Sequence, residues 1–581
     1  MTRQFEFESV LDVKYGKSPA LDAWLLHFMS ENHIEYTIEP EKNASPEQIR
    51  FMVALDADGV YMPCSDWMFH QLNRPELSPG LKAEYIKKWK TLIRLARAYV
   101  PDPFARKRIL NLCRHKFKQY ISSHILIPSR LMKMLTTIFL TQSGLDDPYR
   151  ERKKLYNSRA HEAIRSPAFD RAVNVCPEAA LACHRIADLR NELDMLELER
   201  LLRIATLPDI WRAVHLMPPL DSILHDLELG EQEFRHLRAI FTGQAAPLKI
   251  LYLPNLAGGI IFDMLVIRAL LRLGHKVILA LKEGFYGQAP TFWDYETDPV
   301  LAEYLKGGHF VTDDRISKNE LLRVQRENNF VVISDGSRER LNLCRVSVTF
   351  ARAWKESDLV LGKGEANYFR LIQTSHAFTR DLFCFFRDET GHFHAHFKPK
   401  AAWIVKFSEE ALRTKADAIV AGMREAKAKG STVMFYSGII GSVPGQVQMA
   451  IKIMNTFITH LRTRLEGVSI INPAEHFEEG MDADDLMFMW ERVQRSGYLN
   501  VWRFQTTEDI EKSFDLMGRK VPPVWAGKDA TYSTGCTKEM HIALEVQKRQ
   551  HELQIIGPSP EKFFRRREYG IGKFFDAAIA N

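Results

Sequence analysis

Cations and hydroxyl groups follow three apolar, β-rich runs in the middle of the chain. Lys363 comes directly after one such run, Asn367 follows shortly afterwards, and Arg387 ends the next run. A third run leads into the sequence SDGS, which adds hydroxyl and backbone N–H donors. Lysine and arginine bind phosphate oxygens through charge-assisted hydrogen bonds. The residues predicted to bind phosphate are Lys363, Asn367, Arg387, Ser334, Gly336 and Ser337.

The turn at 254–259, with the sequence PNLAGG, is a second candidate site. It joins an apolar run directly to a helical stretch. In parallel sheets, ligands bind at the carboxyl ends of strands, beside helix N-termini whose free N–H groups attract anions. Asn255, Gly258 and Gly259 would then lie where a phosphate or a metal binds. A plain strand-to-helix turn, in which the glycines allow tight packing, explains the same residues.

Alternating strand and helix patterns must position these groups. Apolar β-rich runs at 248–253, 276–281, 329–334, 358–362 and 381–386 alternate with helical stretches, which indicates a parallel sheet flanked by helices. Residues 1–240 show apolar positions at helical spacing. The predicted fold is therefore α/β, with a helical N-terminal region (1–240), a parallel-sheet core (241–400) and a C-terminal α/β extension (401–581). A junction is expected near Pro399.

The same stretches, in the same order, resemble the motifs of the damage-control phosphatase family. The resemblance covers about residues 60–400 and rests on PNLAGG followed by FD, on SDGS, on SDLVLGKGEANYF, on DLFCFFR and on DDPYRERKKLYN. Members of that family are metal-dependent phosphatases with a helical N-terminal part and an α/β core. The resemblance implies the same fold, a phosphorylated small-molecule partner and a divalent metal, magnesium or manganese.

Two acidic positions of the family pattern are not acidic in this chain. The resemblance places metal ligands at an Asp-Asn pair after the first strand and at an Asp after the second, which align with Pro254, Asn255 and Ala289. Magnesium requires oxygen ligands, which proline and alanine side chains lack. The predicted metal ligands are therefore Asn255 and Asp294, and other acids near strand ends are Glu283 and Asp335.

Three other motifs have weaker chemical interpretations. Glycines in the loop 438–446 resemble a phosphate-binding loop, although they match neither dinucleotide nor Walker patterns. Cys536 lies near a predicted helix start, which can lower a thiol pKa, but no partner histidine is evident. His392, His394 and His396 would share one strand face and suit a transition metal. A structural turn, a helix cap and an exposed hairpin are the more frequent explanations of such motifs.

Composition narrows the class of partner and compartment. Lysine and arginine total 79 against 73 acids, so the net charge of +6 is mild for 581 residues and does not indicate a nucleic acid partner. The seven cysteines form no CxxC pair, which makes a cysteine zinc site unexpected and suits reduced thiols. No signal peptide or membrane-spanning run is visible. We expect a cytoplasmic protein with no membrane partner.

Two main functions remain open from the sequence, beside a third in which the chain is a different enzyme with its site in the C-terminal half and the core as scaffold. The first is a divergent phosphatase, a phosphoric monoester hydrolase that binds and hydrolyses a phosphorylated small molecule. The second is a catalytically degenerate phosphate-binding or scaffold protein, with its function in the C-terminal region. The missing acids favour the second function, and the family's general activity favours the first. The substrate and the oligomeric state are left open.

Overall fold

The computed structural model divides the chain into two compact units, Met1–Ile404 and Val405–Asn581. The boundary falls a few residues after Pro399. The helical region predicted for 1–240 and the sheet region predicted for 241–400 both belong to the first unit, and their division at residue 240 stays a prediction. The structure describes residues 7–14, 16–35, 43–56, 59–174, 186–207, 231–242, 247–443, 446–478 and 480–568.

The first unit begins with helices and continues with alternating strands and helices. Its described helices are α1 (Pro19–Asn32), α2 (Pro46–Ile49), α3 (Asp66–Asn73), α4 (Pro79–Tyr99), α5 (Pro103–Ser123), α6 (Pro128–Ser143), α7 (Arg150–Ile164), α8 (Pro167–Asn174), α9 (Ile186–Ala205), α10 (Glu231–Thr242), α11 (Gly259–Arg272), α12 (Pro299–Leu305), α13 (Lys318–Glu327), α14 (Val348–Glu356) and α15 (Glu365–Leu371). Its strands are β1 (Lys249–Leu253), β2 (Lys276–Leu281), β3 (His309–Val311), β4 (Phe330–Ser334), β5 (Leu359–Lys363), β6 (Asp381–Arg387) and β7 (Phe393–Lys398). Short 3-10 turns occur at Val10–Asp12 and Asp294–Glu296.

Seven strands form one sheet in the order β3-β4-β2-β1-β5-β6-β7. The strands β1 to β6 pair in parallel, and β7 returns antiparallel to β6 as a hairpin. The chain extends the sheet from β1 through β2 in one direction and later from β1 through β5 in the other. This reversal leaves a crevice between the carboxyl ends of β1 and β5, the usual ligand position in open α/β sheets.

Helices cover both faces of this sheet because both faces are apolar. Along β1, Leu251 and Leu253 pack with the N-terminal helices and with α13 and α14. Ile250 and Tyr252 point to the opposite face and pack with α9 and α11. The period of two along each strand therefore divides its side chains between two cores. Near-continuous apolar runs of this kind are typical of parallel sheets buried on both faces.

Side-chain caps fix the starts of many helices. Ser78 accepts the amide hydrogen of Leu81 at the start of α4, and Asp102 accepts those of Phe104 and Ala105 at the start of α5. Such caps satisfy backbone donors that have no partner within the helix. Other capping residues are Ser18, Ser45, Ser65, Asp298, Ser317 and Ser347.

The second unit is a smaller α/β fold. Its described helices are α16 (Glu409–Ala428), α17 (Val447–Arg464), α18 (Ala483–Gln494), α19 (Thr507–Leu516), α20 (Thr534–Arg549) and α21 (Pro560–Glu568). Its strands β8 (Thr432–Ser437), β9 (Val468–Ile471), β10 (Val501–Phe504) and β11 (Gln554–Ile556) form a parallel sheet in the order β11-β10-β8-β9. Short 3-10 turns occur at Pro473–His476 and Ala530–Tyr532.

The predicted α/β class with a helical N-terminal region and an additional C-terminal α/β region is confirmed. The five strands expected between 248 and 386 are β1, β2, β4, β5 and β6. Among the described helices, none combines the length and apolar character that crossing a bilayer requires.

Packing between the sheet and α14 predicts a large stability effect at Trp354. This side chain is fully buried, with Phe350 and Phe378 rings about it. Trp354→Ala should lower the free energy of unfolding by about 3–5 kcal/mol, because truncating a buried aromatic leaves a cavity. Urea unfolding followed by circular dichroism measures it. Trp403→Ala, at a side chain that is 67% exposed, is the matched control and should change little. Equal effects of the two changes would contradict this assignment of the core.

Candidate functional site

The turn after β1 lies against the turn after β5. Gly364 follows β5 with a φ of +94°, and a Cβ atom there would lie 2.4 Å from Asn255 Nδ2. Only glycine permits both this backbone conformation and this close approach. The two carboxyl ends at the crevice thus meet through the Asn255 amide and the Gly364 backbone.

The helix α7 holds the turn after β1 in place. The Gly258 N–H donates to Asn157 Oδ1 at 2.6 Å, and Asn157 Nδ2 donates to Asp298 Oδ2 at 2.7 Å. Asp298 in turn caps α12. The amide expected from the sequence to face an anion is therefore occupied by Asn157. The glycine turn supports packing here, which was the alternative interpretation of the motif.

Asp294, the predicted replacement metal ligand, is bound by a lysine. Lys153 Nζ lies 2.8 Å and 2.6 Å from the two Asp294 oxygens and 2.5 Å from Asp147 Oδ2. The Thr291 N–H also donates to Asp294 Oδ2 at 2.8 Å. Since Lys153 is buried, its charge needs these carboxylates. The geometry gives Asp294 a partner inside the protein, and its metal role stays a prediction.

Lys363, predicted to bind phosphate, forms a buried ion pair. Its Nζ lies 2.5 Å from Asp263 Oδ1 and 3.1 Å from the Gly259 carbonyl oxygen. The Tyr252 hydroxyl donates to the same Asp263 oxygen at 2.9 Å. Burial lowers the pKa of Lys363, and Asp263 opposes that shift. The pair therefore joins the end of β5 to α11, independently of any ligand in the crevice.

Asn367 and Arg387 also contact the protein backbone. Asn367 Nδ2 donates to the carbonyl oxygens of Leu253, at 3.3 Å, and Lys363, at 2.9 Å, so it ties α15 to both strand ends. Arg387 Nη1 donates to the Gly391 carbonyl oxygen at 2.6 Å, within the turn of the β6–β7 hairpin. Lys363 and Arg387 do end adjacent strands, as expected. Their phosphate contacts stay predictions.

The loop after β4 is built around its own acids. Ser334 Oγ donates to Glu283 Oε2 at 2.6 Å. Ser337 donates from its N–H and hydroxyl to Asp335, at 2.7 and 3.0 Å, and Lys282 Nζ lies 2.5 Å from Asp335 Oδ2. Gly336 adopts a φ of +75°, and a Cβ there would lie 2.6 Å from the Ser347 nitrogen. These groups form one network that orders the loop.

The described residues do not fit a divalent metal at Asn255. A backbone hydrogen bond from Ala257 to Gln288 sets the Ala289 loop beside the Asn255 turn, at the two positions that lack acids. Asp263, Asp294 and Asp335 are each held by a lysine. Throughout the described ranges, no group of three or more His, Cys, Asp or Glu side chains could hold a metal ion.

Two arginines that the sequence analysis did not select lie near these strand ends. Arg370, in α15, is only 5% exposed; its Nη2 donates to Ser129 Oγ at 2.6 Å, and its Nη1 is buried without a partner. Arg340 lies half-buried over the Phe369 ring, and its Nε is buried without a partner. Between described residues, neither guanidinium forms an ion pair with a carboxylate. Burial, followed by repulsion from Arg340, lowers the pKa of Arg370.

Further buried polar groups lie near Arg370. The Tyr61 phenol is close enough to Arg370 for their charges to interact, and its ring is 5.1 Å from the ring of His376, whose Nδ1 is buried without a hydrogen-bond partner. His376 Nε2 accepts the Met62 N–H at 2.9 Å, and burial lowers the pKa of His376 to about 4. Buried polar groups are normally satisfied, so several unpartnered donors together indicate a place for a ligand. In the sequence, Arg340 and Arg370 are two loop and helix cations among many.

The remaining sequence motifs have structural partners. His394 Nε2 lies 2.8 Å from Asp388 Oδ2 on the exposed side of the β6–β7 hairpin. In the second unit, the glycine loop is held by Gln505 Oε1 on the Ile439 N–H, at 3.0 Å; Gly445 lies outside the described residues. Cys536 is buried in the first turn of α20, and burial raises its pKa well above the usual range. This environment does not activate the thiol.

Comparisons with known proteins match the sheet region. A family model, the damage-control phosphatase ARMT1-like domain, matches residues 232–416. The crystal structure of a DUF89 family protein from Pyrococcus horikoshii is similar with 18% sequence identity, over 52% of this chain and 90% of that chain, at a TM-score of 0.37. No curated protein sequence matches this chain.

The buried pair predicts that Lys363 stabilises the fold. Lys363→Met would leave the Asp263 carboxylate buried without its cation, and should lower the free energy of unfolding by about 3–5 kcal/mol. Urea unfolding measures the change. The control is Lys363→Met with Asp263→Leu, which removes both charges and should recover most of the lost stability. A single Lys363→Met variant as stable as wild type would contradict the structural role of the pair.

Proposed function

From the match of residues 232–416 to the damage-control phosphatase ARMT1-like domain, we propose that the first unit binds a phosphorylated small molecule beside the carboxyl ends of β4 and β5. The proposed contacts are the guanidinium groups of Arg340 and Arg370. Ser334, Gly336, Ser337, Lys363, Asn367 and Arg387 remain the sequence-based candidates around them.

The observation that carries the proposal is the arginine pair without a carboxylate. Burying one unpaired charge costs several kcal/mol, and two neighbouring like charges add repulsion. The described aspartates Asp263, Asp294 and Asp335 at this edge are each already paired with a lysine. A phosphate monoester carries a charge near −2 at neutral pH, and arginine binds its oxygens in a planar, bidentate manner. Such a ligand would offset the cost of burying Arg370 beside Arg340.

The position of the arginines supports the same ligand. Arg340 lies in the loop between β4 and α14, and Arg370 lies in the helix after β5. Both therefore belong to segments that leave the carboxyl edge of the sheet. Ligands of open α/β sheets bind at this edge. The Tyr61 hydroxyl near Arg370, and the unpartnered Nδ1 of His376 whose ring contacts Tyr61, supply neutral hydrogen-bonding groups. They suit the uncharged, hydroxylated part of a phosphate ester.

Hydrolysis is a separate question from binding. The relation to a phosphatase domain favours a divergent hydrolase, while Pro254 and Ala289 favour a phosphate-binding protein that does not hydrolyse its ligand. We derive no metal-dependent step, because the donor set around Asn255 does not fit a divalent cation. We also propose a cytoplasmic location, which the free, buried thiols of the described cysteines support.

Removing either arginine should weaken phosphate binding without destabilising the free protein. Arg340→Gln and Arg370→Gln should each reduce affinity for inorganic phosphate and for sugar phosphates by about tenfold or more, since a hydrogen bond to a charged group contributes roughly 1.5–3 kcal/mol. Because each change relieves repulsion, the ligand-free melting temperature should stay the same or rise. Thermal-shift titration measures both quantities.

The control for this experiment is Arg323→Gln, at an exposed arginine of α13 that pairs with Glu320. It should leave phosphate binding unchanged. If Arg340→Gln and Arg370→Gln both destabilise the free protein and leave ligand shifts intact, the arginines are structural and the proposed site is wrong.

Restoring the missing acids should create metal affinity. Calorimetric titration of the wild-type chain with Mg²⁺ or Mn²⁺ should show no binding tighter than about millimolar, since the described acids near Asn255 have lysine partners. Pro254→Asp with Ala289→Asp should gain affinity by at least tenfold. A folded double variant that gains none would contradict the alignment of Ala289. Micromolar binding by wild type, lost in Asn255→Ala, would favour the hydrolase.

A further inference from the structure

Positive charge is concentrated in the helices α4, α5 and α6. Residues 79–143 contain fourteen lysines and arginines and two acids, Glu84 and Asp102, a net charge of +12. The whole chain has a net charge of +6, so all the other residues together carry −6. Although the overall charge is mild, this segment of three helices is therefore strongly basic. A basic surface on one face of a domain is the electrostatic signature of a polyanion partner.

The packing of α4 and α5 turns these cations toward solvent. The apolar stripes of both helices are buried in the core, with Tyr85 and Leu92 from α4 and Ile109 and Phe117 from α5. The opposite faces are therefore exposed along their length. Exposed cations on these faces are Lys82, Lys87, Lys90, Arg94, Arg97, Lys107, Arg108, Arg114 and Lys118.

Acidic side chains do not neutralise this surface from within. On α4 and α5, the ion pair formed between described residues is Lys88 with Glu84, at 3.5 Å. Asp102 is occupied as the N-cap of α5. Arg108 donates to the neutral side chain of Gln142, and Arg94 donates to Thr91. Cations that contact neutral groups keep their full charge for an external anion.

An exposed aromatic ring stands among the cations of α5. Phe104 is 77% exposed and Leu112 is 45% exposed, and Arg108 lies between them at four-residue spacing. Residues four apart lie on the same side of a helix. A cationic groove or face combined with an exposed aromatic ring is the arrangement that binds single-stranded nucleic acid, because the cations contact phosphates and the ring stacks on a base.

We propose that the exposed face of α4 and α5 binds single-stranded nucleic acid. Lys107, Arg108 and Arg114 contact the phosphate backbone, and Phe104 stacks on a base. The contacts to phosphate carry no sequence information, so binding depends on charge and on unpaired bases. This surface is distinct from the arginine pair of the proposed phosphate site.

The packing argues against an anionic membrane as the occupant. An interfacial helix binds lipid by burying an apolar face among acyl chains. The apolar faces of α4 and α5 already lie in the protein core, so only isolated apolar side chains such as Phe104 and Leu112 face outward. The surface carries the positive charge that attracts an anionic membrane, but it has no continuous apolar face to insert among the acyl chains.

Fluorescence anisotropy on the full chain tests this proposal. The probes are labelled 20-nucleotide single strands, one RNA and one DNA, with the matching duplex as competitor. The charge-reversal variant is Lys107→Glu with Arg108→Glu and Arg114→Glu. The matched control reverses three exposed cations in and just after the last turns of α16, Arg424→Glu with Lys427→Glu and Lys429→Glu. We expect binding to the single strand, at least tenfold weaker in the α5 variant and within twofold of wild type in the α16 variant.

Salt and the aromatic ring give two further readouts. About five phosphate contacts would produce a slope near −3.5 in log K against log salt, roughly a hundredfold loss between about 50 and 200 mM. Phe104→Ala should weaken single-strand binding by about fivefold or more, since stacking contributes roughly 1–3 kcal/mol, and should leave duplex binding unchanged. Arg340→Gln should leave both unchanged, which separates this surface from the phosphate site.

Specific outcomes would overturn the proposal. These are no binding to either strand at tens of micromolar protein in low salt, equal losses in the α5 and α16 variants, or a duplex preferred to the single strand. Binding to phosphatidylserine vesicles that the α5 variant loses, without binding to the oligonucleotides, would assign the surface to a membrane instead.

Discussion

Charge neutralisation at the carboxyl edge of the large sheet is the constraint on which the first unit depends. Three described aspartates at that edge are each matched by a lysine from a distant segment. Asp263 pairs with Lys363, and Asp335 pairs with Lys282. Lys153 crosses from α7 to Asp294, so it also docks a helix against the sheet. Removing one partner of such a pair leaves an uncompensated buried charge, which proteins rarely tolerate.

The same constraint connects the missing acids to the arginines. The two positions that the resemblance aligns with metal-binding acids are Pro254 and Ala289, which supply no negative charge to a divalent cation. Arg340 and Arg370 lie in segments that leave the same edge of the sheet, and no described carboxylate forms an ion pair with either. A sheet edge that has two arginines but lacks these acids is suited to bind an anion alone, rather than a metal cation together with an anion. In the proposed site, phosphate recognition therefore does not require the aligned metal positions, although both belong to one edge of the sheet.

The sequence predicted the strands of the scaffold well, but it did not predict which side chains contact the candidate site residues. The reason is physical. Buried parallel strands are near-continuous apolar runs, so β1, β2 and β4 could be located directly. Short edge strands such as β3, with three residues, carry too little pattern. Lys363 does lie at a strand end, as expected. Its partner Asp263 lies a hundred positions earlier in the chain, on a helix whose orientation depends on tertiary packing and not on the nearby sequence. The burial of Arg370 likewise depends on Ser129, in a helix of the N-terminal region.

Net charge over the whole chain does not report where the charges lie, for a related reason. Electrostatic potential depends on where charges lie within about a Debye length, roughly 8–10 Å, and not on their sum over the chain. The apolar stripes of α4 and α5 pack in one core, and this packing brings the cations of both helices together at the surface. The excess of cations on α4 to α6 therefore sets the local potential there, while the acids that balance it reside elsewhere in the chain.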